Sequence, residues 1–234
     1  TTRITNVADY QVWGAKNATE DAQAAAIGSV LRTLADPDLD LITVTITERA
    51  YFLDSKKCLD VNQAVIDCVN ADVPTTPVGQ LMRSLEQRFL AELADPVAAD
   101  RDPLVVLALD NMDGNGRILK ECVIAYAEER EGASQDSWLD TRVLFPNAAA
   151  DRIVQESGTA ARPYVVTEPL GMYPLVIEGH GDVEILNTLS GAHVKLVEDV
   201  TPYRDAKRLL VNATHLALGL LGGLAGYRTV SGAM

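Results

Sequence analysis

The stretch Leu104-Val105-Val106-Leu107-Ala108-Leu109-Asp110-Asn111-Met112-Asp113-Gly114-Asn115-Gly116 decides the fold. Consecutive apolar residues without alternation are the pattern of a strand buried on both faces, as in a parallel sheet. A polar turn follows, and after it a helical segment runs from about Arg117 to Arg130. In open α/β sheets, ligands sit at such strand-to-helix turns. As a calcium loop the turn fails, because Met112 and Gly114 stand where oxygen ligands are wanted and a strand precedes it. As a phosphate-binding glycine loop it lacks both the spacing and the lysine. Two readings stay open: a tight polar turn with glycines at positive φ, or a site in which Asn111 contacts substrate or cofactor.

Working towards the N-terminus, Leu41-Ile-Thr-Val-Thr-Ile-Thr47 alternates apolar residues with threonine, the pattern of a half-buried strand that ends at Glu48-Arg49-Ala50-Tyr51. A helix precedes it over Asp21–Ala35 and stops at Asp36-Pro37, and residues 1–19 show little periodicity. Residues 53–71 read as a loop and a helical piece. Thr76-Pro77, a natural N-cap with proline at the first helical position, then opens a long amphipathic helix to about Leu93. Strands alternating with helices predict an α/β layer.

Towards the C-terminus, Val143-Leu144-Phe145-Pro146-Asn147 ends in a turn, while residues 165–169, Leu175–Glu178 and His193–Val200 read as strands. Beyond them lies Asp199-Val-Thr-Pro-Tyr203-Arg-Asp-Ala-Lys207-Arg-Leu-Leu-Val-Asn212-Ala-Thr-His215, where Thr201 and Pro202 predict a helix start. In an uninterrupted α-helix Lys207, Asn212 and His215 fall at about 0°, 140° and 80°, one broad face that can line a cavity. The bland alternative is a solvated lysine beside an Asn–His pair that satisfies itself. The apolar run Leu216–Ala225 is too short and glycine-rich for a membrane span and reads as a buried helix. A domain boundary is placed between about 140 and 160.

The net charge of -13 opposes nucleic acid or an anionic membrane as partner, since both require basic patches. Three cysteines, Cys58, Cys68 and Cys122, lack metal or redox spacing and read as reduced thiols. With no signal-peptide pattern after Thr1, the expectation is a cytoplasmic protein. Met234 directly follows a periodic apolar segment without a cap or polar tail, so neighbouring sequence is expected to be absent.

Taken in order, the motifs resemble the long-chain polyol dehydrogenases, the mannitol dehydrogenase family. The matching pieces are Thr45-Ile-Thr-Glu48-Arg-Ala-Tyr51, Asp110-Asn111-Met-Asp-Gly-Asn115-Gly116, and Phe145-Pro146-Asn147 with Asp151-Arg152-Ile153. Val166-Thr-Glu168-Pro169, Val200-Thr-Pro202-Tyr203, and Lys207 with Asn212 and His215 complete the set. The resemblance implies an α/β fold in which a Rossmann-like parallel-sheet domain, here partial and spanning 1–150, is followed by a mainly α-helical C-terminal domain, of which 151–234 is the start. It implies metal-independent hydride transfer between NAD (or NADP) and a polyol or ketose, in a monomer or homodimer. On the family's pattern Lys207, Asn111, Asn212 and His215 are catalytic, while Glu48 and Asn111 contact the cofactor.

The chemistry suits those residue types. Alcohol oxidation needs a base for the hydroxyl proton, and a lysine serves when desolvation or a neighbouring cation, here Arg204 or Arg208, lowers its pKa. Asn111 and Asn212 would donate hydrogen bonds where charge develops on oxygen, and His215 would hold a second hydroxyl or orient the lysine.

Departures from the family's pattern are specific. No glycine-rich nucleotide motif stands near the N-terminus, and the chain is roughly half the usual length. Met172-Tyr173-Pro174 and Glu178-Gly179 replace a glutamine–tryptophan pair and an acidic pair, and the arginine expected two residues after the lysine is shifted to Arg208. Two functions follow: a polyol dehydrogenase of mannitol or arabinitol type, phosphorylated mannitol and sugar acids being further candidates, or a catalytically inactive binding or scaffold protein on the same fold.

Overall fold

The computed structural model describes residues 20–51, 53, 74, 76–95, 101–129, 136–151, 154–159, 162–167, 175–179, 182–190 and 194–234. The segment 1–19, the helical piece expected within 53–71, and Glu168-Pro169 lie outside them. The chain divides into two compact units, Thr1–Ala148 with Gly181–Asn187 and Ala149–His180 with Thr188–Met234.

In the first unit, strands β1 (Leu41–Val44), β2 (Leu104–Ala108) and β3 (Val143–Leu144) form a parallel sheet in the order β1-β2-β3. The uniformly apolar β2 is the central strand, and all five of its residues are buried. Among the described strands the alternating β1 lies at the edge, and its backbone register pairs Leu41 with Val105 and Val44 with Ala108. β1 is shorter than the expected 41–47, and Glu48–Tyr51 forms a 3-10 turn at its carboxyl end.

Helices α1 (Glu20–Leu34), α2 (Pro77–Ala94), α3 (Asn115–Glu129) and α4 (Asp136–Arg142) also belong to this unit. Thr76 caps α2 as its sequence predicts, its hydroxyl accepting from the Gly79 amide at 3.1 Å. The apolar face of α2, with Val78, Leu81, Met82 and Leu85, joins Ile42, Val106, Leu119 and Val123 in one core.

Arg88 on α2 is buried, and its guanidinium donates to the carbonyls of Asp36 (2.8 Å), Leu39 (3.0 Å) and Pro37 (3.1 Å) and to Glu92 (3.1 Å). These bonds tie the Asp36-Pro37 turn to the helix. Burial lowers the pKa of Arg88, against the opposing pull of Glu92.

The second unit holds the antiparallel hairpin β5 (Val154–Thr159) and β6 (Arg162–Thr167), the latter starting three residues before the strand expected over 165–169. A separate sheet has the order β4-β7-β8, from Ala148–Ala150, Leu175–Glu178 and Val194–Val197, with β7 and β8 parallel. Helix α5 (Glu184–Ser190), whose first four residues belong to the first unit, precedes β8, and after β8 comes a helical rod. The rod consists of α6 (Thr201–Ala206), a π-helical turn (Lys207–Asn212) and α7 (Ala213–Leu224), with a short α8 (Val230–Ala233) beyond.

The buried helix expected over 216–225 is not what forms. Leu216, Leu220, Leu221 and Leu224 are all exposed, and only Gly222 in α7 is buried. The reason lies in the surroundings: the chief neighbours of α7 among the described elements are the π turn and α8, which leave those leucines uncovered. No described helix is long and apolar enough to cross a membrane.

Candidate functional site

The first unit gathers its candidate residues at the carboxyl ends of β1 and β2. Glu48 opens the 3-10 turn after β1, Asn111 follows β2, and both are exposed. The Leu109 amide donates to the Val44 carbonyl at 2.8 Å, so the two loops leave the sheet side by side. Behind them Tyr51, fully buried, donates its phenol hydrogen to Asp110 Oδ2 at 2.7 Å. Asp110 Oδ1 accepts from the Met112 amide at 3.0 Å, an Asx turn that closes over Asn111. Burial, and next the hydrogen bond to Asp110, push the Tyr51 phenol above its ordinary value, so it remains a donor.

Asn115 fixes the far end of the turn. Its side-chain amide donates to the carbonyls of Ala108 (2.8 Å), Ala148 (3.0 Å) and Asp110 (3.2 Å), and its oxygen accepts from the amides of Gly116 (2.9 Å) and Ala148 (3.0 Å). The side chain is buried, and α3 starts at Asn115 instead of near Arg117.

Of the two glycines expected at positive φ, only Gly114 is, at 70°. Gly116 is required for a different reason. A Cβ there would lie 2.3 Å from the Pro146 carbonyl oxygen and 2.4 Å from that of Phe145.

In the second unit the rod starts one residue earlier than expected. Val200 is the N-cap and has no side-chain cap bond; Asp199 Oδ1 accepts from the Thr201 amide (2.8 Å) and Glu178 Oε1 from the Val200 amide (3.0 Å). Hydrogen bonds from Thr201 hold the Asp199 carboxyl below the usual carboxylate range. The start of the rod packs through Val200 and Tyr203 on Val176, and the Lys195 ammonium lies 4.7 Å from the Tyr203 ring centroid.

Lys207 begins the π turn, is half-buried, and donates its ammonium to the Ala150 carbonyl at the end of β4. Arg204 and Arg208, the cations expected to act on it, both lie beside Asp205, at 3.6 and 3.3 Å. Asn212 ends the turn and His215 stands in the first turn of α7, both exposed.

The π turn corrects the helical geometry expected from sequence. In an α-helix a five-residue step leaves Lys207 and Asn212 about 140° apart. Here the ladder is wider, as in the bond from the Ala213 amide to the Arg208 carbonyl, so five residues come closer to completing one turn. Lys207 and Asn212 therefore lie nearer to one line along the rod.

An open parallel sheet with polar loops at the carboxyl ends of adjacent strands defines a nucleotide-binding type of α/β fold. Residues 8–184 match the family model of the mannitol dehydrogenase Rossmann domain, and the chain belongs to that family of oxidoreductases.

The chain is 28% identical over 233 residues to an uncharacterized oxidoreductase of Escherichia coli, YdfI, covering 91% of this chain and 44% of that protein. It is 30% identical over 222 residues to mannitol 2-dehydrogenase of Emericella nidulans, covering 86% and 42%. A Pseudomonas fluorescens mannitol 2-dehydrogenase structure, a ternary complex with NAD and D-mannitol, superposes with a TM-score of 0.69 at 29% identity, covering 88% of this chain and 42% of that one. The chain thus spans less than half the length of these relatives.

The polar groups at the strand ends, an amide on Asn111 that donates and accepts and a carboxylate on Glu48 that accepts, fit the carboxamide and hydroxyl groups of a nicotinamide nucleotide by hydrogen-bond type. No glycine-rich strand-turn-helix for a pyrophosphate is present in the sequence. Among the described residues no three His, Cys, Asp or Glu side chains gather as a metal site requires.

The roles of Tyr51, Asp110 and Asn115 emerge only from the structure. Partners 59 residues apart, as in the Tyr51–Asp110 bond, leave no local signal, whereas an asparagine beside a helix-opening glycine is a visible one.

Proposed function

We propose that this chain is part of a metal-independent, NAD-dependent polyol dehydrogenase acting on a mannitol- or arabinitol-type substrate and its ketose. Residues 1–150 are its partial nucleotide-binding domain, and 151–234 begin its substrate domain. The observation that carries the reading is the likeness, through 88% of the chain, to an enzyme captured with NAD and D-mannitol. The nicotinamide ring supplies the hydride acceptor.

The remaining work falls to side chains of this chain. Lys207, its Nζ directed to the Ala150 carbonyl, acts as a neutral amine that takes the proton of the reacting hydroxyl as hydride leaves carbon, and as the resulting ammonium returns it in the reverse direction. Asn111 and Asn212 donate to the oxygen on which negative charge develops. His215 holds a neighbouring hydroxyl or orients Lys207, and Glu48 with Asn111 contacts the nucleotide.

A cytoplasmic location and a monomeric or homodimeric state belong to the same proposal. Titration calorimetry of the full-length protein with NADH and NADPH, followed by a panel of polyols with the preferred oxidised form, tests it. Tight NADH binding with turnover of a hexitol or pentitol supports the reading; an intact protein that binds neither nucleotide sinks it in favour of the scaffold alternative.

A further inference from the structure

We infer that the Tyr51–Asp110 hydrogen bond is a clamp holding the two strand-end loops that carry Glu48 and Asn111 in one arrangement, so that Tyr51 and Asp110 are positioning residues. The inference rests on the dehydrogenase reading, since it assigns these residues an effect on hydride transfer.

A tyrosine as fully buried as Tyr51 gains nothing over phenylalanine unless its hydroxyl has a partner. Here the partner is a carboxylate that is itself buried, and burying a charge is costly without donors on both oxygens. Asp110 receives two: the Tyr51 hydroxyl on one oxygen and the Met112 amide on the other.

The first bond reaches across from β1 to β2, because Tyr51 ends the 3-10 turn that Glu48 opens. The second bond spans Asn111. One carboxylate therefore sets the backbone on both sides of Asn111 and locks it to the turn bearing Glu48. Neither Tyr51 nor Asp110 is exposed to a ligand, so both act through those two residues. An interaction made only as charge develops on the substrate oxygen affects kcat and leaves substrate binding largely alone.

The test is Tyr51→Phe in the full-length protein, which keeps the ring in the core and removes one donor. The clamp predicts a fall in kcat for polyol oxidation of about 10- to 100-fold, with KM for the polyol changed by less than about twofold. It also predicts faster hydrogen exchange at the Met112 amide. The double variant Tyr51→Phe/Asp110→Asn removes the uncompensated charge as well. Its thermal stability should return towards wild type while kcat stays low.

Wild-type kcat in Tyr51→Phe overturns the inference, as does recovery of kcat together with stability in the double variant, which would mark the pair as packing alone. A wild-type protein that turns over no polyol defeats the proposed function instead. In that case Met112 exchange decides the clamp: unchanged protection in Tyr51→Phe refutes it, and loss of protection upholds it.

Discussion

Replacing Asn115 with alanine removes the side chain that joins the end of β2, the polar turn and the backbone at Ala148. Five hydrogen bonds are lost, three from the amide nitrogen and two to its oxygen. A typical bond contributes about 1 kcal/mol net, which sets a ceiling of about 5 kcal/mol. Two amide hydrogens serve three acceptors, so the longest contact, to the Asp110 carbonyl at 3.2 Å, adds little of its own. The Gly116 amide opens a helix and is an orphan that water or another group can satisfy. The Ala108 carbonyl and both backbone groups of Ala148 remain, giving an expected loss of about 3 kcal/mol.

Urea unfolding of the 234-residue chain, followed by tryptophan fluorescence in a Trp13→Phe background, isolates Trp138 of its two tryptophans and reports on the first unit. Asn115→Asp is the informative companion. It keeps both acceptor contacts but sets a carboxylate against three carbonyls, and should destabilise at least as much as alanine. A loss below about 1 kcal/mol for Asn115→Ala, or an aspartate that restores stability, refutes the assignment of this residue as a staple.

Other perturbations probe the remaining elements. Gly116→Ala drives a Cβ into two backbone carbonyls at 2.3 and 2.4 Å and should cost about 2–4 kcal/mol in the same urea assay; full tolerance would mean that the turn after β3 is free to move. Arg88→Met removes donors from three carbonyls, of which Pro37 retains Arg101 at 3.0 Å, so a loss of about 3 kcal/mol is expected by thermal melting.

What could be read in advance follows from where the physics is local. The buried strand Leu104–Ala108 and the half-buried Leu41–Val44 are written in apolar run and alternation, and Thr76-Pro77 names its own cap. The hairpin strand Val154–Thr159 carries Gln155, Glu156, Ser157 and Gly158, which present no apolar periodicity, so only one arm of it was visible. The leucines of α7 read as core because apolar content implies burial only when something covers it. Nothing in Lys207-Arg-Leu-Leu-Val-Asn212 announces a π turn, since every residue there is compatible with an α-helix.

The candidate site divides the same way. The spacing of Lys207, Asn212 and His215 puts them on one broad helical face, but their catalytic roles come from likeness to a family. Asn111 was singled out by its place at a strand end, a general feature of open sheets. The carboxylate that holds Asn111 could not be found from sequence, because its phenol partner comes from a different strand-end loop.

The most direct measurement is the rate of NADH formation from a polyol by the full-length protein, wild type against Lys207→Ala, with NADH affinity measured in parallel. Lys207 as the general base predicts measurable turnover in the wild type and a loss of about 10²- to 10⁴-fold in kcat for the variant, with NADH binding retained. Equal rates for the two proteins would contradict it.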